Sequence, residues 1–242
     1  MIDFQRLPTD FSQTRASLHQ IAFFALSPAR YRAVGRMGLR ATPGGFGTPP
    51  YDGVVDRVEG GLLVHETPEG VATATITTVR DASRFFGGEY QVDWFTDFKD
   101  PLTPTDPDRP LPVGDAAARA LASWFEFGFE VLGAWGRHGD EEDEVTEVQL
   151  WPEHFDPALE MGVEARGGRA SYGCSPGDPT HDEPYVYVAA WSQVDRSDAF
   201  WNDRSFNGAS LGFDALSSAS DPEALVLEFF EKGYRLLDPD GE

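Results

Sequence analysis

A single cysteine, Cys174, leaves no partner for an intrachain disulfide, so nothing in the chain requires an oxidising compartment. Long apolar runs are missing too. Residues 21–26 form an apolar stretch far too short to cross a bilayer, and the N-terminus lacks the basic region and apolar core of a signal peptide. No G-x-S-x-G, Walker, H-E-x-x-H or C-x-x-C pattern occurs. Positive charge is scarce: 19 Lys and Arg against 41 Asp and Glu give a net charge of -22. Phosphate backbones repel such a surface, which argues against a nucleic-acid binder. A cytoplasmic protein with no membrane segment is expected.

What is present suits a folded body. With 40% hydrophobic and 13% aromatic residues, the 242-residue chain is rich enough in core-formers to fold as a single compact unit over 1–242. The charge is unevenly placed. Residues 1–50 hold six arginines and two aspartates, a local +4, so the remainder carries -26. That split predicts either electrostatic docking of the N-terminal segment on the rest or an anion held by its arginines, docking being the commoner outcome.

Taken in order, Leu18, Ile21, Ala22 and Ala25 predict a helix over 14–27 that Pro28 ends or follows, with His19 just off its apolar stripe. Residues 32–41 alternate as a strand, placing Arg32, Arg36 and Arg40 on one face. A glycine-rich loop over 42–50 follows, and its backbone N–H groups are a weak candidate anion cradle. Gly60-Gly61 predicts a hairpin between strands 53–59 and 62–66, with His65 as a satisfied sheet histidine. Residues 71–79 read as a third strand, and the proline-dense 100–112 as a linker or surface loop. Asp115 is a plausible N-cap for a helix over 115–135 carrying an aromatic stripe, with His138 past its end. The acidic run 140–144 reads as a solvated loop.

Residues 150–191 look like the organising stretch. Strand alternation over 159–165, a turn at Gly167-Gly168, a return strand over 170–174 and a two-faced apolar strand over 185–191 predict the middle of a sheet. A final helix starts at Asp221-Pro222. The fold class is therefore α+β, with antiparallel sheets packed on about three helices. Weak collinear similarities suggest pseudo-repeats over 30–138 and 144–238, which align Leu39-Arg40 with Leu150-Trp151 and Phe46 with Phe155.

That alignment lets the arginine segment and the W-P-E-H-F-D segment face one cleft, giving a candidate anion site of Arg36, Arg40, Trp151, His154 and Asp156. His154, Asp156 and His181 are also the residue types of a two-histidine, one-carboxylate metal site, with Asp178, Asp182 and Glu183 as further oxygen donors. Iron, zinc or magnesium is the divalent cofactor this implies. The bland alternative is turn chemistry in which His154 orders a loop. Cys174 reads as a buried thiol rather than a nucleophile.

The blocks Leu150-Trp151-Pro152-Glu153-His154-Phe155-Asp156, Ser175-Pro176-Gly177-Asp178 and Glu183-Pro184-Tyr185, with the segment 36–49 and the Asp221-Pro222 helix, resemble a family of bacterial proteins of unknown function. The resemblance spans about half the chain and implies a shared fold, but no activity. Three functions remain in order of preference. The first is non-catalytic binding of a small anionic molecule or a protein, the second a metal-dependent hydrolase or oxygenase, and the third an acidic interaction protein for a basic partner.

Overall fold

The structure is a computed structural model that describes residues 6–97 and 102–238. The N-terminal pentapeptide and the first two residues of the proline-dense segment 100–112 lie outside the described residues. The fold is α+β, with two antiparallel five-stranded sheets and helices. It divides into two compact units: Arg6–Glu126 with Leu150–Phe155, and Phe127–Gln149 with the chain from Asp156 on.

The first unit begins with a helical rod: α1 (Phe11–Ile21), a π-helical turn (Ala22–Leu26) and α2 (Ser27–Val34). The predicted apolar stripe is buried, but Pro28 does not stop the helix. Proline removes the N–H that would bond the carbonyl four residues earlier, that of Phe24. Here the preceding turn is π-helical, with the Ser27 amide reaching back to Ala22 O. The Phe24 carbonyl instead accepts from the Ser83 hydroxyl at 3.0 Å, although that hydroxyl also lies 3.0 Å from Val79 O. A buried backbone acceptor is thereby satisfied without an α-helical partner.

The expected strand over 32–41 is corrected. Residues 32–34 belong to α2, and Gly35, at φ 67°, ends it in the left-handed conformation of a helix C-cap. Residues 31–36 are exposed on every side, so their alternation reported no buried face. Ser27 Oγ donates to Met37 O and the Arg30 guanidinium to Gly38 O, folding the chain back over α2. The arginines act on carbonyls: Arg32 on Phe86 O and Arg40 on Ala41 O.

A meander follows: β1 (Arg40–Thr42), β2 (Gly45–Gly47), β3 (Val55–Glu59), β4 (Leu62–Thr67) and β5 (Gly70–Thr75), paired in that order. The supposed anion loop is in fact the β1–β2 hairpin. Gly45 and Gly47 serve close approach, since a Cβ at Gly45 would sit 2.0 Å from Val58 O and one at Gly47 2.4 Å from the Arg57 Cβ. The β3–β4 hairpin forms as expected, with Glu59 opposite Leu62 and a positive φ (56°) at Gly60 only, the pattern of a II′ turn. After β5 the chain enters α3 (Val79–Phe85), so the strand predicted over 71–79 ends early. The described part of the proline-rich segment is tied down through Leu111 N to Thr77 O and Gly114 N to Thr14 Oγ1. Helix α4 (Asp115–Gly136) starts at the expected residue, but Asp115 is its first helical residue rather than its N-cap, the Ala118 amide reaching the Gly114 carbonyl at 2.8 Å.

One late stretch of chain completes this unit. Leu39 and Leu150 exchange both backbone hydrogen bonds, at 2.8 and 2.9 Å, as an isolated antiparallel bridge, and both are buried. Phe155 packs edge-on against Phe46 and Phe125, each at 5.0 Å, and stacks on His19.

The second sheet runs β10-β9-β8-β7-β6, with β6 (Gln149–Trp151), β7 (Asp156–Met161), β8 (Ala170–Ser175), β9 (Tyr185–Ala190) and β10 (Gly208–Gly212). Strand β8 is central and β9 lies next to the edge strand β10, which the sequence reading did not anticipate. On one face Tyr172 is enclosed by Trp135 and Phe230. The Phe230 ring comes from α6 (Pro222–Leu237), whose N-cap Asp221 accepts from the Ala224 amide as expected. A short α5 (Phe213–Ser218) precedes it. On the other face the Tyr187 ring covers Gly173, its cross-strand partner, where a Cβ would fall 2.3 Å from the ring. The acidic run is only partly solvated. Asp143 is buried and accepts from the Tyr234 hydroxyl and the Asp140 amide.

Two substitutions and one control test these close contacts. Ser83→Ala should cost about 1–2 kcal/mol by leaving the Phe24 carbonyl unsatisfied. Gly45→Ala should cost more than about 2 kcal/mol, whereas Gly61→Ala, which meets open space, should stay within about 0.5 kcal/mol. Urea unfolding midpoints measure all three.

Candidate functional site

The residues singled out in the sequence differ in exposure, while the Leu39–Leu150 bridge lays the arginine segment beside the W-P-E-H-F-D segment. Arg36 and Arg40 are exposed, one in the turn after Gly35 and the other at the start of β1, so no strand face presents them together. His154 is exposed and Trp151 partly so, in the turn that Phe155 anchors from its buried side. Asp156 is buried in the second unit and accepts from the Tyr187 hydroxyl at 2.6 Å.

Among the described residues, no three His, Cys, Asp or Glu side chains are grouped to hold a metal ion, so His154, Asp156 and His181 do not form such a set. His181 instead bridges two carboxylates, with Nδ1 3.3 Å from Asp178 and Nε2 3.1 Å from Asp203, and lies over Tyr185 at 4.3 Å. It ties the loop before β9 to the loop before β10. Burial opposes ionisation of Asp178, yet hydrogen bonds from the Tyr185 hydroxyl and the His181 and Thr180 amides outweigh it and hold its carboxyl below the ordinary range. Asp203 is held low against burial in the same way, by Ser205 and Ser210. Cys174 is buried, and burial with the nearby Asp156 pushes its thiol well up, which keeps it protonated and inert.

His19, just off the apolar stripe, is a half-buried residue of α1 with defined partners. It donates Nε2–H to Pro152 O at 2.9 Å and stacks on Phe155 at 5.0 Å with 7° between the planes. Burial, reinforced by the charges of His154 and Arg15 and opposed by the backbone bonds to Pro152 and Glu153, pulls its pKa down to about 4.

A more functional geometry lies on the first sheet. Asp56 on β3 and His65 on β4 are direct cross-strand partners. Asp56 is 1% exposed, and its Oδ1 accepts from His65 Nδ1 at 2.6 Å. Its Oδ2 accepts from the Tyr51 hydroxyl, and its own amide donates to Thr48 Oγ1 at 3.1 Å. Burial, then the bond to Asp56, raises the Tyr51 pKa, while the Arg32 guanidinium is close enough to oppose that rise. The His65 side chain is 35% exposed. Across from it on β5 stands Ala72, whose methyl leaves the ring open.

A buried carboxylate that takes Nδ1–H fixes the tautomer and orientation of an imidazole, and turns Nε2 outward as an acceptor or a proton carrier. The sequence contained the signal. Pairing Glu59 with Leu62 across a two-residue turn necessarily sets Asp56 opposite His65.

The network and His19 make separable predictions. Asp56→Ala should cost roughly 2–4 kcal/mol, because it strands the Tyr51 hydroxyl and the His65 N–H, while His65→Ala should cost less than about 1 kcal/mol. For His19, the unfolded chain binds a proton below about pH 6.5 that the folded chain refuses until about pH 4. Its neutral ring therefore costs stability as pH falls through that window, by roughly 3–3.5 kcal/mol in total. Denaturant midpoints at pH 7 and pH 4.5 should show the loss, and His19→Gln should flatten it. Below that window a further loss is expected as the depressed carboxyls of Asp178 and Asp203 take up protons.

Compared with models of known protein families, with curated proteins and with solved structures, the chain matches none.

Proposed function

We propose that the protein binds a small molecule bearing an anionic or hydroxyl oxygen at the Tyr51–Asp56–His65 network, with His65 Nε2 in direct contact, accepting from a hydroxyl on a neutral ring or donating to an anionic oxygen on an imidazolium. The observation that carries this reading is the 2.6 Å bond from His65 Nδ1 to a carboxylate that is 1% exposed, beneath a ring that is itself a third open to solvent. A histidine needed only to satisfy the sheet has no use for so well-defined an outward nitrogen. The Arg32 guanidinium, which is felt at Tyr51, supplies positive potential beside the network. Recognition of an anion thus moves from the arginine pair at positions 36 and 40 to Arg32 and the dyad.

Nitrogen-15 spectra of the histidine rings, recorded while acetate, inorganic phosphate and a neutral polyol are titrated separately, test the proposal. A saturable shift at His65 with at least one probe is expected. Asp56→Asn should weaken that binding roughly tenfold, about 1.4 kcal/mol, by releasing the ring. A His65 resonance that responds to none of the three overturns the reading.

A further inference from the structure

We propose that two copies of this chain join edge to edge through β5, extending the first sheet into a continuous antiparallel one across a twofold axis at Thr73. The six residues Gly-Val-Ala-Thr-Ala-Thr of β5 contain no charge and no proline. Five of the six are exposed, Val71 to 63%. Strand edges left open to solvent are ordinarily protected by lysine, proline, a bulge or a covering segment. Strand β1, at the opposite edge of this sheet, follows directly on the Leu39–Leu150 bridge and carries Arg40. Strand β5 carries neither safeguard.

The hydrogen-bond phase of the edge follows from one contact. The Ile76 amide donates to Gly61 O, so in the β4–β5 ladder Ala74, Ala72 and Gly70 turn their N–H and C=O groups toward β4. Val71, Thr73 and Thr75 therefore turn theirs outward. Antiparallel pairing about Thr73 sets Thr73 against its own copy and Val71 against Thr75, each as a hydrogen-bonded pair. Ala72 then faces Ala74 on the side of the sheet that carries His65. Threonine–threonine and valine–threonine pairs are favourable cross-strand neighbours. No like charges meet, because Glu69 falls opposite Thr77. An edge complementary to itself about one residue is what a closed twofold dimer requires, and this commits the occupant to a second copy.

The pairing is short and each copy carries a net charge of -22, so a reversible dimer is expected, tightened roughly tenfold by salt that screens the repulsion. Sedimentation of the full-length protein at low and high salt should show mass rising toward a dimer with concentration, more so at high salt. Thr73→Lys, which puts two ammonium groups on the axis, should return it to monomer with its circular dichroism unchanged. Thr73→Cys should form an intermolecular disulfide under mild oxidation, the native Cys174 being buried. A hydrogen-bonded antiparallel pair holds its Cα atoms about 5.5 Å apart, within disulfide reach. A strictly monomeric protein at both salts, or a dimer that persists in Thr73→Lys, overturns the proposal. Thr73→Cys linking to a different protein rather than to itself overturns the choice of a second copy.

Discussion

The first unit depends on capturing a stretch of chain made long after the rest of it. Residues 150–155 enter through the paired amides of Leu39 and Leu150, and Phe155 then closes the aromatic group of Phe46 and Phe125. His19 clamps the same stretch by its bond to Pro152, 133 residues away in sequence. Contacts this distant carry a loop-closure cost that local pairing does not, so they must be dense to hold. A two-sided backbone bridge, a buried phenyl ring and a stacked imidazole meet that demand with few residues.

The same capture sets Leu39 against Leu150 and Phe46 against Phe155, so the two segments hold each other through one backbone bridge and one ring contact.

How far the sequence was legible depended on whether each signal reported burial. The sheet strands β3, β4, β8 and β9 and the helices α4 and α6 were readable because one face of each is truly sequestered. Residues 32–36 misled because a fully exposed final helical turn has no inside, so its alternation was chance. Pro28 misled because the carbonyl it deprives is rescued from a distant hydroxyl, which no local rule foresees. Asp143 was hidden in an acidic run because nothing marks which of several neighbouring carboxylates meets a tyrosine from α6. The Asp56–His65 pair was available from hairpin register alone. It went unnoticed because histidine inside a strand is so often mere filling.

The π-helical turn has a consequence for how this chain can vary. Such a turn houses one more residue than the α-helix on either side would, the Ser27 amide reaching back five residues to Ala22 O instead of four. Ala22 through Leu26 are all buried, so the surplus is housed in the interior. A relative one residue shorter here would hold an unbroken helix and leave the side chains after it on the same bearings. Length at this point is therefore freer than composition: the turn can give back one residue without turning α2, while its apolar side chains must stay sequestered.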